Sequence, residues 1–530
     1  MKRLNESSQV NVQIVYNNDR QTAQGERLTE FFLADGTRTI DNRKDFLEKD
    51  NTLYGLVKYE KNSASQYLKN ALSGDFTWSR QWLNEQGTAN HRQFARKPEY
   101  DIKDNLYIIR KYGNSLVSFY SNNRAVSRPQ SLAVDSLFQH VSQQRYSTDT
   151  YVMGGTKLGK FNLSLKAGVN VSLNRVESDG AGMPDTLGLL ADDTRFVFAR
   201  FYIEPKLTYK TRDINIELTP TTEYLYEKYS EDKGHRQLLF SPDVNIRWYV
   251  TPRLRLSLGG YSSVEAVDAS RFHRALIMQD FQYFNQGWTG YRHDHAQSVR
   301  GGMAYNDALK SLHAILSVSR TFTTSPYTPT RQFAGDYIIL SATEQETKAD
   351  SWQSNLIVSK GINLWNGVVN LRALYLNSNS TMLQNNEATD FNSQMLNVRT
   401  GIDFSFWKDM HLRYGLTFNQ SRMKMELSAA ASDISNWKHD LSLTIPLRPI
   451  TFDCVAEYYR NELISGKHKD FFLADVKVSH KSRHLDLSLL LSNLLNNDTY
   501  SYVTINDLIS SSSTSRIRGR ELLLSLSYKL

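Results

Sequence analysis

The 530-residue sequence predicts an all-β protein, a transmembrane antiparallel β-barrel of about 22 strands with short periplasmic turns and long extracellular loops. Three observations carry that expectation. Apolar and polar residues alternate with period two from end to end, while helical periodicity is absent over any comparable length. Aromatic residues reach 12% of a chain whose mean hydropathy is only −0.50. A membrane barrel reconciles those two numbers, because only alternate residues meet lipid and aromatics gather at both interfaces. Finally, short and long connections alternate along the chain. No run reaches the roughly 18 apolar residues that a spanning helix needs.

The strands follow in order. Alternation is weakest over residues 1–80 and clearest from Phe161 through Leu163, Leu165, Ala167, Val169 and Val171 to Leu173, with polar residues or Gly168 between them. Ile214, Ile216 and Leu218 alternate with Asn215, Glu217 and Thr219, and Leu485 to Leu491 repeat the pattern against Asp486 and Ser488. At the C-terminus Leu522, Leu524, Leu526, Tyr528 and Leu530 share one parity, so strand pattern runs to the last residue. A barrel in lipid explains this, because unpaired backbone groups there cost several kcal/mol each. The last strand is therefore expected to pair with both its predecessor and the first strand.

Tight turns are expected near residues 112–114, 158–160, 211–213, 251–253, 306–308, 407–409, 447–449 and 481–483. Longer polar, aromatic-rich connections are expected near 122–146, 174–194, 264–295, 323–349 and 496–517. This alternation puts both chain ends on the periplasmic side. The parity opposite the apolar one carries Arg200, Glu204, Lys206, Arg372, Asp453, Glu457, Asp475 and Lys477. Charges of both signs suit a lumen that holds a polar plug or an internal ion-pair network better than an ion-selective pore.

The net charge of +8 is spread among 55 acidic residues with no basic run, so nucleic acid is not an expected partner. The single cysteine, Cys454, rules out an intramolecular disulfide framework and sits as a small apolar strand residue. The N-terminus has basic residues but no apolar core behind them, which is not the pattern of a secretory signal peptide.

In "SNLLNNDTYSYVTINDLISSSSTSRIRGRELLLSLSYKL", the Asn493–Asn496 turn, the Tyr/Ser/Thr-rich loop and the basic 516–520 entry to the closing strand resemble TonB-dependent outer-membrane receptors. The resemblance is to the branch that often carries a carboxypeptidase-like regulatory domain, and "RAVSRPQSLAV" is similar to a segment early in such barrels. It implies one outer-membrane barrel domain over residues 1–530, embedded in the lipid of a Gram-negative outer membrane, with signal peptide and plug absent from this chain. It implies transport: a small solute, glycan or peptide is captured by the outer loops and passed through the lumen, with the plug domain and the TonB energy-coupling complex as partners. The sequence departs at Gly519 and Leu530, where the family usually has Pro and Phe. A surface-binding or assembly barrel, or a passive pore, is the alternative.

The candidate ligand segment is "FQYFNQGWTGYRHDHAQ". Phe281, Tyr283, Phe284, Trp288 and Tyr291 are suited to stack on a flat ligand, with His293 and His295 beside them. The competing expectation is that these rings pack the loop against its neighbours. On a strand His293 and His295 share a face and Asp294 points away, so the three do not form one metal site. Neither a cofactor nor enzymatic activity is expected: HExxH, GxxxxGK[ST], CxxC and GxSxG are all missing from the sequence.

Overall fold

Alternation becomes strand along almost the whole chain. The computed structural model describes all residues except 1, 6, 34–35, 89, 114, 183–189, 231–232, 267–272, 288–292, 336, 364–365, 426–430, 464–465, 507 and 529–530. After the short β1 (Lys2–Asn5), the wall runs through β2 (Ser8–Leu33), β3 (Gly36–Asn62), β4 (Gln66–Gly87), β5 (His91–Tyr112), β6 (Ser115–Val134), β7 (Leu137–Leu158) and β8 (Phe161–Ala181). It continues with β9 (Asp192–Lys210), β10 (Ile214–Tyr229), β11 (His235–Tyr249) and β12 (Leu254–Ala266). Two short strands, β13 (Leu276–Met278) and β14 (Tyr283–Gln286), precede the wall strands β15 (His293–Asp307) and β16 (Leu312–Ser325). Another pair, β17 (Thr328–Ala334) and β18 (Tyr337–Thr343), precedes β19 (Thr347–Ile362), β20 (Gly367–Gln384), β21 (Glu387–Phe406), β22 (Met410–Met425) and β23 (Ala431–Leu447). The wall ends with β24 (Ile450–Glu462), β25 (His468–Lys481), β26 (Leu485–Ser492) and, after β27 (Thr499–Asn506) and β28 (Ile509–Arg516), β29 (Glu521–Tyr528).

Among the described residues, twenty-two strands form this wall, each antiparallel to its neighbours. The expected tight turns all lie at one end of it. The two faces separate by parity. On β8 the residues Leu163, Leu165 and Leu173 point outward and stay exposed, as do Phe201 and Ile203 on β9, Leu238 and Phe240 on β11, and Leu522, Leu524 and Leu526 on β29. Apolar side chains left on an outer face in this density are a lipid-facing belt, not a soluble surface.

One expectation is corrected. The stretch 122–146 is not a loop but the tops of β6 and β7, joined at Asp135 and Ser136, with Asp135 in the left-handed region. The weakly patterned N-terminus supplies the longest strands, β2 and β3, with 26 and 27 residues. Both exceed the roughly 9–11 residues that cross a bilayer. Their tops have water or folded loops in place of lipid, so strict alternation is lost.

The seam between the first and last wall strands also differs from expectation. Among the described residues β29 pairs only with β26, and the matching edge of β2 carries β1 at Ser8–Val10 and β28 at Gly25–Phe31. Among the described residues, none pairs with Asn11 to Gln24 of β2 on that edge. The two free edges are nonetheless complementary: continuing the Gly25–Ser515 register sets Tyr16, Ile14 and Val12 opposite Leu524, Leu526 and Tyr528.

Candidate functional site

The end of the wall opposite the tight turns is covered by its own connections. Leu276, Met278, Phe281 and Phe284 of the β13–β14 hairpin pack on Ala95, Leu132, Val134 and Leu137, which are lumen-facing residues of β5, β6 and β7. Gln139 of β7 locks the hairpin in place. Its Nε2 donates to the Leu276 carbonyl at 2.7 Å and its Oε1 accepts the Met278 N–H at 2.7 Å. With its carbonyl and amide both used, this buried side chain substitutes for a strand pairing.

From there a small sheet crosses the mouth. β14 runs parallel to β18, β18 pairs antiparallel with β17, and β17 joins β20 through Thr330 and Arg331. Its underside meets the β2–β3 hairpin in a cluster of Phe31, Ile40 and Ile338, where Phe31 and Phe333 stand edge to face at 5.3 Å. A second hairpin, β27–β28, lies over β21 and β22 and buries Leu508 against Phe391, Met423 and Met425. Together these hairpins make a roof held by apolar cores.

The roof explains the aromatic segment. Phe281 and Phe284 are 3% and 1% exposed and present no face to a ligand. Phe281 is ringed by His91, at 4.9 Å between centroids, and by the Lys44 ammonium at 6.0 Å. Lys44 in turn pairs with Glu85 at 2.5 Å, and burial raises the Glu85 carboxyl above its usual range against the opposing pull of Lys44. Tyr283 is half-buried beside the Phe31 cluster. His293 is buried with Glu227, Nε2 to Oε2 3.2 Å, whereas His295 is exposed. Trp288 and Tyr291 lie outside the described residues. Among the described residues of the segment, Phe281 and Phe284 are core side chains that anchor the roof.

Beneath the roof, the lumen face is polar and self-paired. Arg124 donates two bonds to Asp101, at 2.9 and 2.7 Å, and Lys103 adds a third contact at 2.9 Å. Arg128 meets Glu99 at 2.7 Å, and Lys206 and Arg247 share Glu217 at 3.1 and 3.3 Å. A row of tyrosines runs across neighbouring strands, Tyr67, Tyr107, Tyr120 and Tyr151, with centroids 6.1, 6.3 and 5.0 Å apart. Lys166 extends it, its ammonium 4.6 Å from Tyr151 and 4.9 Å from Tyr202. Nearer the short turns, Arg372, Arg399 and Arg413 line a recess of about 190 Å³ with Asp403 and Asp440.

The Asn493 turn noted in the sequence is a structural hub. Asn493 takes a positive φ, its backbone N–H donates to Asp475, and its side-chain amide donates to the carbonyls of Asn497 and Arg518. Sequence reading missed Gln139 and the tyrosine row. Gln139 looks like any polar strand residue, and the row exists only once the register between strands is known.

Neither protein-family profiles nor the sequences of curated proteins match the chain. Solved structures do. The copper transporter OprC is 8% identical, with a TM-score of 0.50 over 94% of this chain and 80% of that one. The ferripyoverdine receptor of the outer membrane of Pseudomonas aeruginosa is 9% identical, with a TM-score of 0.47 over 94% and 72%. The FrpB iron transporter from Neisseria meningitidis is 10% identical, with a TM-score of 0.43 over 95% and 82%. The OprC match shows a shared barrel fold.

Proposed function

We propose that the chain is the barrel of a TonB-dependent outer-membrane receptor, which captures a scarce solute at its outer mouth and passes it through the lumen. The observation that carries this reading is the roof. Twenty-two strands enclose more space than wall side chains fill, and the outer mouth is closed by folded hairpins instead of standing open as in a diffusion pore. A lumen of paired charges of both signs suits a folded plug, which would be a partner and the point where TonB coupling acts. The fold shared with a copper transporter favours a metal ion or metal chelate as the solute. In this reading the 281–295 segment meets ligand as the roof lifts, and Phe281 and Phe284 must leave their pockets for it to do so.

The test pairs binding with conductance. A panel of cupric and ferric chelates, with short glycans and peptides beside them, is titrated against the barrel while its tryptophan fluorescence is followed. Conductance is measured in planar bilayers for the wild type and for Phe281→Ala/Phe284→Ala. We expect saturable binding of one class, and larger conductance once the roof anchors are lost. A chain that binds no member of the panel, and whose roof variant conducts no more than wild type, refutes the proposal.

A further inference from the structure

On the outer face of β2 to β5, Arg20, Lys49, Arg80 and Arg96 occupy one continuous row. Arg20 is the register partner of Lys49, Lys49 of Arg80, and Arg80 of Arg96. Directly opposed residues stand about 5 Å apart at Cβ, and like charges there are destabilising. All four side chains are exposed, and no carboxylate among the described residues pairs with any of them. Lys49 and Arg96 rest instead on aromatic rings, 5.5 Å from Trp82 and 5.4 Å from Phe94.

The acids next to the row in sequence, Asp19, Glu48 and Asp50, face the other way, and the nearest outward acid on β3 is Asp45, two outward positions further up. In Glu48-Lys49-Asp50 only the lysine points outward, and Glu48 is bonded to Ser79 and Gln81 on the lumen side. Asp19 holds the backbone N–H of Arg20 and the side chain of Gln21. Elsewhere on the outer face three arginines are neutralised by a carboxylate on the next strand. Arg175 grips Asp193 at 2.8 and 2.9 Å, Arg320 grips Asp350 at 3.0 and 2.8 Å, and Arg422 grips Asp433 at 3.0 and 2.7 Å. Only the β2–β5 row leaves four cations together without that partner among the described residues.

Its height identifies the counterion. Two rows nearer the short turns, Tyr16, Leu53, Phe76 and Tyr100 lie side by side on the same face, and Trp78 stands between the two levels. Aromatic and aliphatic side chains below and cations immediately above are the order of a membrane interface, where an outward cation meets lipid headgroups. From Arg20 upward the wall bounds a groove of about 1390 Å³, lined by Trp82, Phe94, Arg92 and Arg516 and also by Asp19, Asp45 and Asp135. We propose that the Arg20–Lys49–Arg80–Arg96 row binds the phosphate groups of a phosphorylated lipid of the outer leaflet, with the acyl chains lying along the aromatic belt beneath it. This rests on the outer-membrane reading above.

The probe is lipid A, bisphosphorylated or enzymatically dephosphorylated, added to the detergent-solubilised chain and read as retained lipid by native mass spectrometry. Wild type should retain the phosphorylated form, and retention should fall roughly fivefold for each charge removed across Lys49→Gln, Lys49→Gln/Arg80→Gln and the fourfold glutamine variant. Arg320→Gln, taken from a neutralised pair, should leave it unchanged. Equal retention by wild type and the fourfold variant overturns the proposal, as does equal retention of the dephosphorylated lipid. Displacement of lipid by an excess of inorganic phosphate would make this a free-phosphate site and overturn it too. Boiling-sensitive gel migration after insertion into neutral vesicles is followed for every variant. Its loss in wild type would refute the membrane barrel itself, while its retention leaves a negative lipid result bearing on the row alone. If the fourfold variant does not fold, the single and double variants decide.

Discussion

Gly168 sits between two tyrosines of the lumen row, and replacing it with alanine probes how tightly that row is built. A Cβ there would lie 2.6 Å from Cβ of Tyr151 and 2.7 Å from both Cζ and the hydroxyl of Tyr202. None of these distances is tolerated, so the structure must yield in one of two ways. If the backbone shifts, overpacking costs about 1–3 kcal/mol. If the Tyr202 ring swings away, its hydroxyl loses the 3.1 Å bond to Asp149, a bond to a charged group worth about 1.5–3 kcal/mol. The cheaper route sets the cost, so Gly168→Ala should destabilise the barrel by about 2 kcal/mol. The assay is equilibrium urea unfolding in vesicles, followed by tryptophan fluorescence. In a double-mutant cycle with Tyr202→Val, the two changes should fall short of additivity by about 1 kcal/mol, since the smaller side chain relieves part of the clash. A Gly168→Ala variant within about 0.5 kcal/mol of wild type, or a strictly additive cycle, would refute the packing described here.

Other outcomes follow from the same geometry. Leu165→Arg, on the outward face of β8, should cost about 2–4 kcal/mol in the same unfolding assay, whereas Asn170→Arg on the lumen face should cost far less; equal costs would contradict the assignment of faces. Asn17→Cys/Leu523→Cys in a Cys454→Ala background should form a disulfide in membrane-inserted protein if the free edges of β2 and β29 close in the β28 register; non-reducing peptide mapping that finds only free thiols would show that the seam stays open. His273, in the roof, is buried, its Nδ1–H donates to the Ala275 carbonyl at 2.9 Å, and burial lowers its pKa below the ordinary 6.5. The folded roof therefore favours the neutral ring. The stabilisation is full above 6.5 and is lost as pH falls through the depressed value. Limited proteolysis of the roof should accelerate on acidification, and His273→Gln should flatten that dependence; an unchanged pH profile in the variant would count against it.

How much was legible in the sequence depends on what each residue faces. β8 can be read directly, because Phe161 to Leu173 meet lipid on one side and a wet lumen on the other, and only such a boundary enforces strict alternation. The tops of β2, β3, β6 and β7 stand beyond the apolar belt and lose the pattern, although they are as fully strand as the rest. Roof strands such as β13 have only three residues, too few for periodicity to register. The segment from Phe281 onward was visible as an aromatic concentration, but whether Phe281 serves a ligand or a core depends on Ala95 and Leu132, residues far away in the chain. The cationic row is hidden for a similar reason. Arg20, Lys49, Arg80 and Arg96 are separated by many residues, and only the register of four strands makes them neighbours.

The central claim is that a polar lumen and a lipid-facing belt alternate residue by residue around a twenty-two-strand wall. The most direct test is a scan of β8 from Phe161 to Leu173, each position in turn carrying an environment-sensitive fluorophore on a cysteine, in the Cys454→Ala background, with quenching by brominated acyl chains. Strong quenching is expected at 161, 163, 165, 167, 169, 171 and 173, and weak quenching at the positions between. Uniform quenching, or a period near 3.6 residues, would contradict it.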